Sequence, residues 1–314
     1  MKQQVLIKFI NIYLVIFMHS QAAKLKKIMK KKSDETEVQR FNTSSTRTIA
    51  IASGKGGVGK STFTVNFAYN LCKLDKEVLI IDSDIGMANL DIMLGVQPNY
   101  DMGHLLRDEC SLEDAVIEGP AGINLLSGIT GDDSFIDIQN NAMQKLVELG
   151  DQIEKDYDYL LIDLGAGASK SIVSTILAAE ELILLLTTEP TSVMDSYSLI
   201  KILANHQYKK PIKLVINQTE DEQEAQHTAK RIIKTVKNYL DLDLTLVGSI
   251  AHDRKISVAL RKQKLYAKIF SNRKAARDFE DVARKISGKA EEQRPKGVKS
   301  YFYKMVGFFN KHVK

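Results

Sequence analysis

Between residues 48 and 287 the chain alternates two kinds of apolar pattern. Short, nearly uninterrupted runs lie at 48–52, 78–82, 123–127, 159–163, 181–187, 212–217 and 245–250, and they predict strands buried on both sides. Between most of these runs the apolar residues recur every three or four positions, as Phe63, Phe67 and Leu71 do. That spacing predicts helices at 60–73, 140–155, 171–178, 193–205 and 222–239, with two more after the last strand. A strand buried on both sides needs cover on both sides, and intervening helices supply it. The pattern predicts an α/β fold over residues 47–287: a doubly wound, mostly parallel sheet with helices on both faces.

The two ends break this rhythm. An apolar run from Val5 to Met18 is interrupted by Lys8 and Asn11, and it is shorter than the ~20 residues of a membrane-spanning helix. Lys2 before it and Ser20-Gln21-Ala22 after it also give it the layout of a signal peptide. Residues 19–47 are polar, with a Ser/Thr cluster at Thr43–Thr46, and read as a short helix plus linker. At the other end a polar hinge is expected over 288–300, around Gly288, Gln293, Pro295 and Gly297. Residues 301–314 then form an amphipathic helix with Phe302, Met305, Val306, Phe309 and Val313 on one face.

Chemistry enters with the loop after the first strand. Gly54-Lys55-Gly56-Gly57-Val58-Gly59-Lys60-Ser61 meets the pattern G-x-x-x-x-G-K-[ST]. Strand, glycine loop and helix start together aim backbone N–H groups and the helix dipole at a polyphosphate. In such a loop Lys60 bridges the terminal phosphates of ATP, the Ser61 hydroxyl holds Mg²⁺, and Thr62 lies alongside. Two further strands end in carboxylates, at Asp82-Ser83-Asp84 and at Asp163-Leu164-Gly165-Ala166-Gly167. Strand C-termini line the ligand crevice of an open parallel sheet. Asp82 and Asp84 share one face there and can point toward the phosphates, with Asp82 expected on the metal side beside Ser61. Asp163 can act on the hydration shell of Mg²⁺, and the N–H groups of Gly165 and Gly167 can sense the terminal phosphate. An ATP site would be wasted on an exported protein. Residues 1–17 are therefore read first as an extension upstream of a start at Met18, and otherwise as an apolar anchor or leader.

Charge sharpens the division. Residues 1–47 carry a net +7 and residues 289–314 a net +5, whereas the segment between them carries −7. Basic ends on an acidic body point the ends toward anionic surfaces. Cys72 and Cys110 form no C-x-x-C pair, which fits a reducing cytosol and argues against an iron–sulfur carrier. The six histidines have no metal-ligand spacing and read as solvated or structural.

Lys55 inside the loop, the Asp82-Ser83-Asp84-Ile85-Gly86 turn with Asn89-Leu90-Asp91, and Asp163-Leu164-Gly165-Ala166-Gly167 together resemble the deviant Walker A ATPases of the MinD/ParA group, in the expected order. The Asp-x-Gly-Ala-Gly turn, Thr188-Glu189-Pro190-Thr191-Ser192 and Asp195-Ser196-Tyr197-Ser198-Leu199-Ile200-Lys201 look most like its FlhG/FleN members, which regulate flagellar number and placement. The resemblance implies a slow, switch-type ATPase that forms a homodimer when ATP is bound. It assigns Lys55 to the partner's phosphates and Asp84 to orienting the attacking water. Asn217 would meet the adenine edge, with an Asn turn as the alternative. Departures fall at Ile250-Ala251-His252-Asp253, where the family has Ile-Pro-x-Asp, and at Leu265, where proline is common.

The ends acquire expected partners from the same resemblance. Ser20-Gln21-Ala22-Ala23-Lys24-Leu25-Lys26 resembles the activator helix of FlhG, which stimulates FlhF, a signal-recognition-particle-type GTPase. Gln21, Ala22 and Leu25 would then contact that partner. The C-terminal helix would place the protein peripherally on the inner face of the cell membrane, on anionic lipid; the other reading docks it on the protein's own core. Flagellar switch-complex proteins or a flagellar transcription regulator are further expected partners. The stretch Arg254, Lys255, Arg261, Lys262, Lys264, Lys268, Arg273, Lys274, Arg277 keeps open a DNA-partitioning ATPase, its other reading being a solvated helix face. A metabolic kinase or ligase would need a dedicated substrate pocket, for which the sequence offers little.

Overall fold

The computed structural model describes residues 46–83, 89–128, 142–288 and 297–311, with backbone only for 142–147, 303 and 306–311. Eight strands form one sheet: β1 (Arg47–Ser53), β2 (Val78–Ser83), β3 (Val116–Glu118), β4 (Ile123–Leu126), β5 (Tyr159–Ala166), β6 (Glu181–Leu186), β7 (Ile212–Thr219) and β8 (Leu244–Ala251). Their order across the sheet is β3-β4-β2-β5-β1-β6-β7-β8. The pairings are parallel except β3 with β4. All seven expected strands are present. The eighth, β3, escaped the sequence pattern because it is a three-residue, half-exposed antiparallel edge.

The longer helices are α1 (Lys60–Cys72), α5 (Ala142–Asp156), α6 (Lys170–Ala178), α7 (Pro190–Asn205), α8 (Glu222–Leu240), α9 (Arg254–Arg261), α11 (Lys274–Ser287) and α12 (Gly297–Lys311). Four short ones are α2 (Leu90–Leu94), α3 (Met102–Leu106), α4 (Leu112–Ala115) and α10 (Tyr266–Ile269). Three helices, not two, separate β8 from the C-terminal one, because a four-residue turn at α10 splits that region.

Alternation along the strands divides the core into two clusters. Ala50, Ala52, Leu160 and Ile162 face one layer, which holds Ile176 of α6, Leu199 and Leu203 of α7, and Ile232 of α8. Ile49, Ile51, Val78 and Leu161 face the other, where Phe63 and Phe67 of α1 stack and meet Phe279 of α11. Both sides of each central strand are therefore buried, as the unbroken apolar runs require.

The C-terminal helix differs from expectation in start and placement. It begins at Gly297, inside the span expected to be a hinge, and packs along α5 and α6. Val298, Tyr301 and Phe302 belong to the first core layer, and Met305 packs against it. Two of the residues assigned to a membrane face, Phe302 and Met305, thus meet the protein's own interior here. An amphipathic face carries the same pattern for either surface. The side chains of Val306 and Phe309, and all of Val313, lie outside the described residues.

The base of the sheet fixes this helix in place. Gly297 N–H donates to Glu180 Oε1 at 2.7 Å, while Thr48 N–H of β1 donates to Oε2 of the same carboxylate at 3.1 Å. Lys299 N–H donates to Glu154 Oε1 at 2.8 Å, and its ammonium pairs with Asp151. These carboxylates take up N–H groups that a helix start leaves unpaired.

Candidate functional site

At the opposite pole, the C-terminal ends of β1, β2 and β5 open into a cleft of ≈ 570 Å³. Ser53, Lys55 to Thr62, Ser83, Gly165, Ala166, Ser169, Ser171 and Ile172 line it. That volume lies within the ordinary range for small-molecule sites.

Backbone geometry explains the glycines. A Cβ on Gly54 would stand 2.3 Å from Asp195 C and from Ser196 N, so only glycine lets α7 pack its backbone against the loop. Gly59 caps α1 with φ +87°, and a Cβ there would also meet Asn217 Nδ2 at 2.6 Å. The loop's inner side is left to its N–H groups at the start of α1.

Behind the loop sits a buried carboxylate. Asp163, 1% exposed, accepts from Ser61 Oγ at 2.7 Å and from Thr64 Oγ1 at 2.7 Å, with Lys60 Nζ 3.8 Å away. Thr64 was missed in the sequence, although it lies one helical turn after Ser61 on the same face. Hydroxyl and carboxylate oxygens around a lysine are the donor set that a hard divalent cation and a polyphosphate require. The residues present fit Mg²⁺-ATP: Ser61 and Asp163 on the metal side, Lys60 and the loop N–H groups on the phosphate side.

Other expected residues are engaged differently. Asp82, 3% exposed, pairs in register with Asp163 across β2 and β5, yet its Oδ2 accepts from the N–H groups of Asn89 and Leu90 at 3.2 and 3.3 Å. It caps α2 instead of lining the cleft, since a strand-end carboxylate serves either purpose. Asn217 Nδ2 donates to Val58 O at 2.7 Å, so this side chain braces the loop. Gln218 Nε2 adds a bond to Gly57 O at 3.2 Å. Gly165 lines the cleft, whereas the Gly167 N–H is spent on Ser53 O at 3.0 Å. Lys55 Nζ reaches Glu189 Oε2 and Thr191 Oγ1, each at 2.9 Å, at the rim. Asp84, Gln21, Ala22 and Leu25 lie outside the described residues.

Near the departure from Ile-Pro-x-Asp, Asp253 caps α9 through Lys255 N–H and also accepts from Tyr266 Oη and Arg273 Nε. Burial alone would raise its pKa; the Arg273, Tyr266 and Lys255 hydrogen bonds outweigh that and hold the carboxyl below its usual range.

An AAA domain family model matches residues 46–216. The chain is 32% identical over 254 residues to the antiactivator FleN of Pseudomonas aeruginosa, covering 81% of this chain and 91% of that one. The chain belongs to the MinD/ParA family of P-loop ATPases. It is also 30% identical over 297 residues to the flagellum site-determining protein YlxH of Helicobacter pylori, covering 93% of this chain and 99% of that one. Among solved structures, the septum site-determining protein MinD from Pyrococcus horikoshii, complexed with Mg-ADP, superposes with a TM-score of 0.62 at 28% identity, over 77% of this chain and 96% of that one. This MinD-like protein is an ATPase that uses ATP and Mg²⁺, and it is similar to FleN and YlxH over most of its length.

Proposed function

We propose that this MinD-like ATPase is a nucleotide-driven switch that regulates flagellar number and placement. The observation that carries the switch is α6: Ser171 and Ile172 at its start line the nucleotide cleft, and the same helix packs along the C-terminal helix, its Ile176 sharing a core layer with the buried Tyr301 and Phe302. One short rod touches both the phosphate site and the docked helix. The flagellar assignment rests on the near-full-length similarity to YlxH and FleN.

In this reading Lys60 and the loop N–H groups hold the polyphosphate, and Ser61 and Asp163 hold Mg²⁺, which neutralises charge on the phosphates when bound. Asp84 orients the attacking water, and Lys55 reaches the partner's phosphates in an ATP-bound homodimer. Dimerisation releases α12, whose Phe302, Met305, Val306, Phe309 and Val313 then enter an anionic membrane surface, and slow hydrolysis returns the monomer. The protein works in the cytoplasm and on the inner face of the membrane. The N-terminal segment, through Gln21, Ala22 and Leu25, stimulates an FlhF-type GTPase, and switch-complex proteins or a transcription regulator are further partners. Among the described residues no helix is long and apolar enough to cross a membrane.

The test is sedimentation with anionic vesicles. The intact chain should pellet with ATP and remain in solution without it; Lys60→Ala, or removal of residues 301–314, should abolish pelleting. Equal pelleting with and without ATP would sink the switch.

A second reading, DNA partitioning, is favoured by one observation: all nine Lys and Arg of residues 254–277 are exposed, and that stretch contains no acidic residue. Salt-sensitive DNA binding without vesicle binding would select it.

A further inference from the structure

At the far side of the sheet from β3, the last strand borders a slot. β8 closes the strand order, so its outer edge meets no strand among the described residues. Along that edge a cavity of ≈ 300 Å³ lies between two helices, with Leu246–Ser249 of β8 at its floor, Ala225 of α8 on one wall and Val282 of α11 on the other. Gly248 makes the slot close-walled, because a Cβ there would stand 2.6 Å from Val282 Cγ2. A strand edge presents N–H and C=O groups in a row and templates pairing with another segment. At its upper end a side chain takes one of them: Ala251 N–H donates to Asp278 Oδ2 at 2.9 Å. We propose that residues 32–38 of the N-terminal segment, which lie outside the described residues, occupy the rest of this edge as an added antiparallel strand.

Charge along α11 selects the occupant. Lys274, Asp278, Asp281 and Lys285 border the slot in the order plus, minus, minus, plus. That order reads the same from both ends. A second copy paired by twofold symmetry would therefore set lysine against lysine and carboxylate against carboxylate. Lys274 is already paired, with Asp278 at 3.2 Å and Glu222 at 3.8 Å. Asp281 and Lys285 are exposed and form no ion pair among the described residues. Four helical residues separate them, a rise of about 6 Å, and two residues of a strand span about 6.8 Å. An extended segment with a basic and an acidic side chain two positions apart matches both.

Direction fixes the order of that pair. α11 starts beside the end of β8, where Asp278 holds Ala251, and ends beside the start of β1, where Arg47 Nη1 donates to Ile286 O at 2.9 Å. The N-terminal segment reaches the same base when it joins the sheet at Arg47. A strand formed from it thus runs down the slot, antiparallel to β8 and alongside α11, passing Asp281 first and Lys285 second. That order calls for basic-x-acidic. Residues 1–45 contain this spacing once, at Lys32-Ser33-Asp34, and never the reverse. Thr36 and Val38 continue the same face with side chains suited to a strand. The twelve residues from Asp34 to Thr46 can span roughly 40 Å, against about 19 Å for the four strand spacings back to β1. Lys32 then pairs with Asp281 and Asp34 with Lys285, which covers the edge and roots the N-terminal segment on the domain.

The experiment is amide hydrogen exchange on the full chain without nucleotide. Residues 32–38 should exchange more slowly than a free peptide of the same sequence, and residues 246–249 should be protected with them. Asp281→Lys combined with Lys285→Asp should speed exchange in both segments about 2- to 30-fold, the range for two exposed ion pairs. Both positions are exposed, so unchanged exchange in β1 reports an intact core. Adding Lys32→Asp and Asp34→Lys to that variant should restore slow exchange. The proposal is overturned if residues 32–38 exchange at the free-peptide rate, if the first charge swap has no effect, or if the second does not restore protection. Protection that fades on dilution also overturns it, and marks a second copy on this edge.

Discussion

At the scale of single residues the site depends on donors arranged around one buried carboxylate. Asp163 is held by the Ser61 and Thr64 hydroxyls, and charge burial of this kind is tolerated only while the lone pairs are satisfied. Thr64→Val preserves shape and removes a donor. It should lower unfolding free energy by about 1–3 kcal/mol and reduce ATP turnover, and a urea melt without nucleotide that matches the unaltered chain would contradict this. The glycine loop was legible because backbone approach dictates residue type, and only Gly54 leaves room for Asp195. Asp82 was not, because its cap partners Asn89 and Leu90 come seven and eight residues later, across a turn that no local pattern links to it. The role of Asn217 was not fixed for a similar reason: an amide at a strand end fits a base or a loop carbonyl equally well.

At the scale of elements, the strands could be read directly because a sheet covered on both faces leaves unbroken apolar runs such as Leu182–Leu186. Elements of three to five residues, such as β3 and α2 to α4, are shorter than the period that would announce them. One junction between elements makes a pH-dependent prediction. The Asp253 carboxyl ties the start of α9 to Tyr266 of α10 and to Arg273 beside α11, and its pKa is held low in the fold. A lowered carboxyl contributes stability above its unfolded value near 4, and that contribution disappears as pH falls through the folded value. Asp253→Asn should therefore cost about 1–3 kcal/mol at pH 7 and progressively less below about pH 4. The check is a denaturation series over pH; a cost that stays constant down to pH 3 would contradict the linkage.

At the scale of the whole molecule, the nucleotide cleft and the start of the C-terminal helix sit at opposite ends of the strands, and β1 runs between them. Glu180 holds that strand with one oxygen and the helix with the other. Glu180→Ala should leave the cleft intact and loosen the helix. Without nucleotide, cleavage within 297–311 should accelerate about 5- to 30-fold, the effect expected from one lost partly buried acceptor. An unchanged digestion rate would show that apolar packing alone keeps the helix docked. Sequence could not place this helix, because the face carrying Val298, Tyr301 and Phe302 has the same apolar spacing for lipid as for the first core layer.

The contacts of Glu154 reach further than the helix they cap. Its backbone oxygen lies 3.4 Å from Thr46 Oγ1, while its side chain grips Lys299 N–H. Residue 46, where the long N-terminal segment joins the domain, and residue 299, where the last helix is seated, thus share one doorway. If the last helix is released as proposed, a bulky body seated on the N-terminal segment close to Thr46 would crowd the opening it leaves through. In the proposed switch, occupancy of one tail would then act as a steric gate on the other, with no signal needed through the sheet.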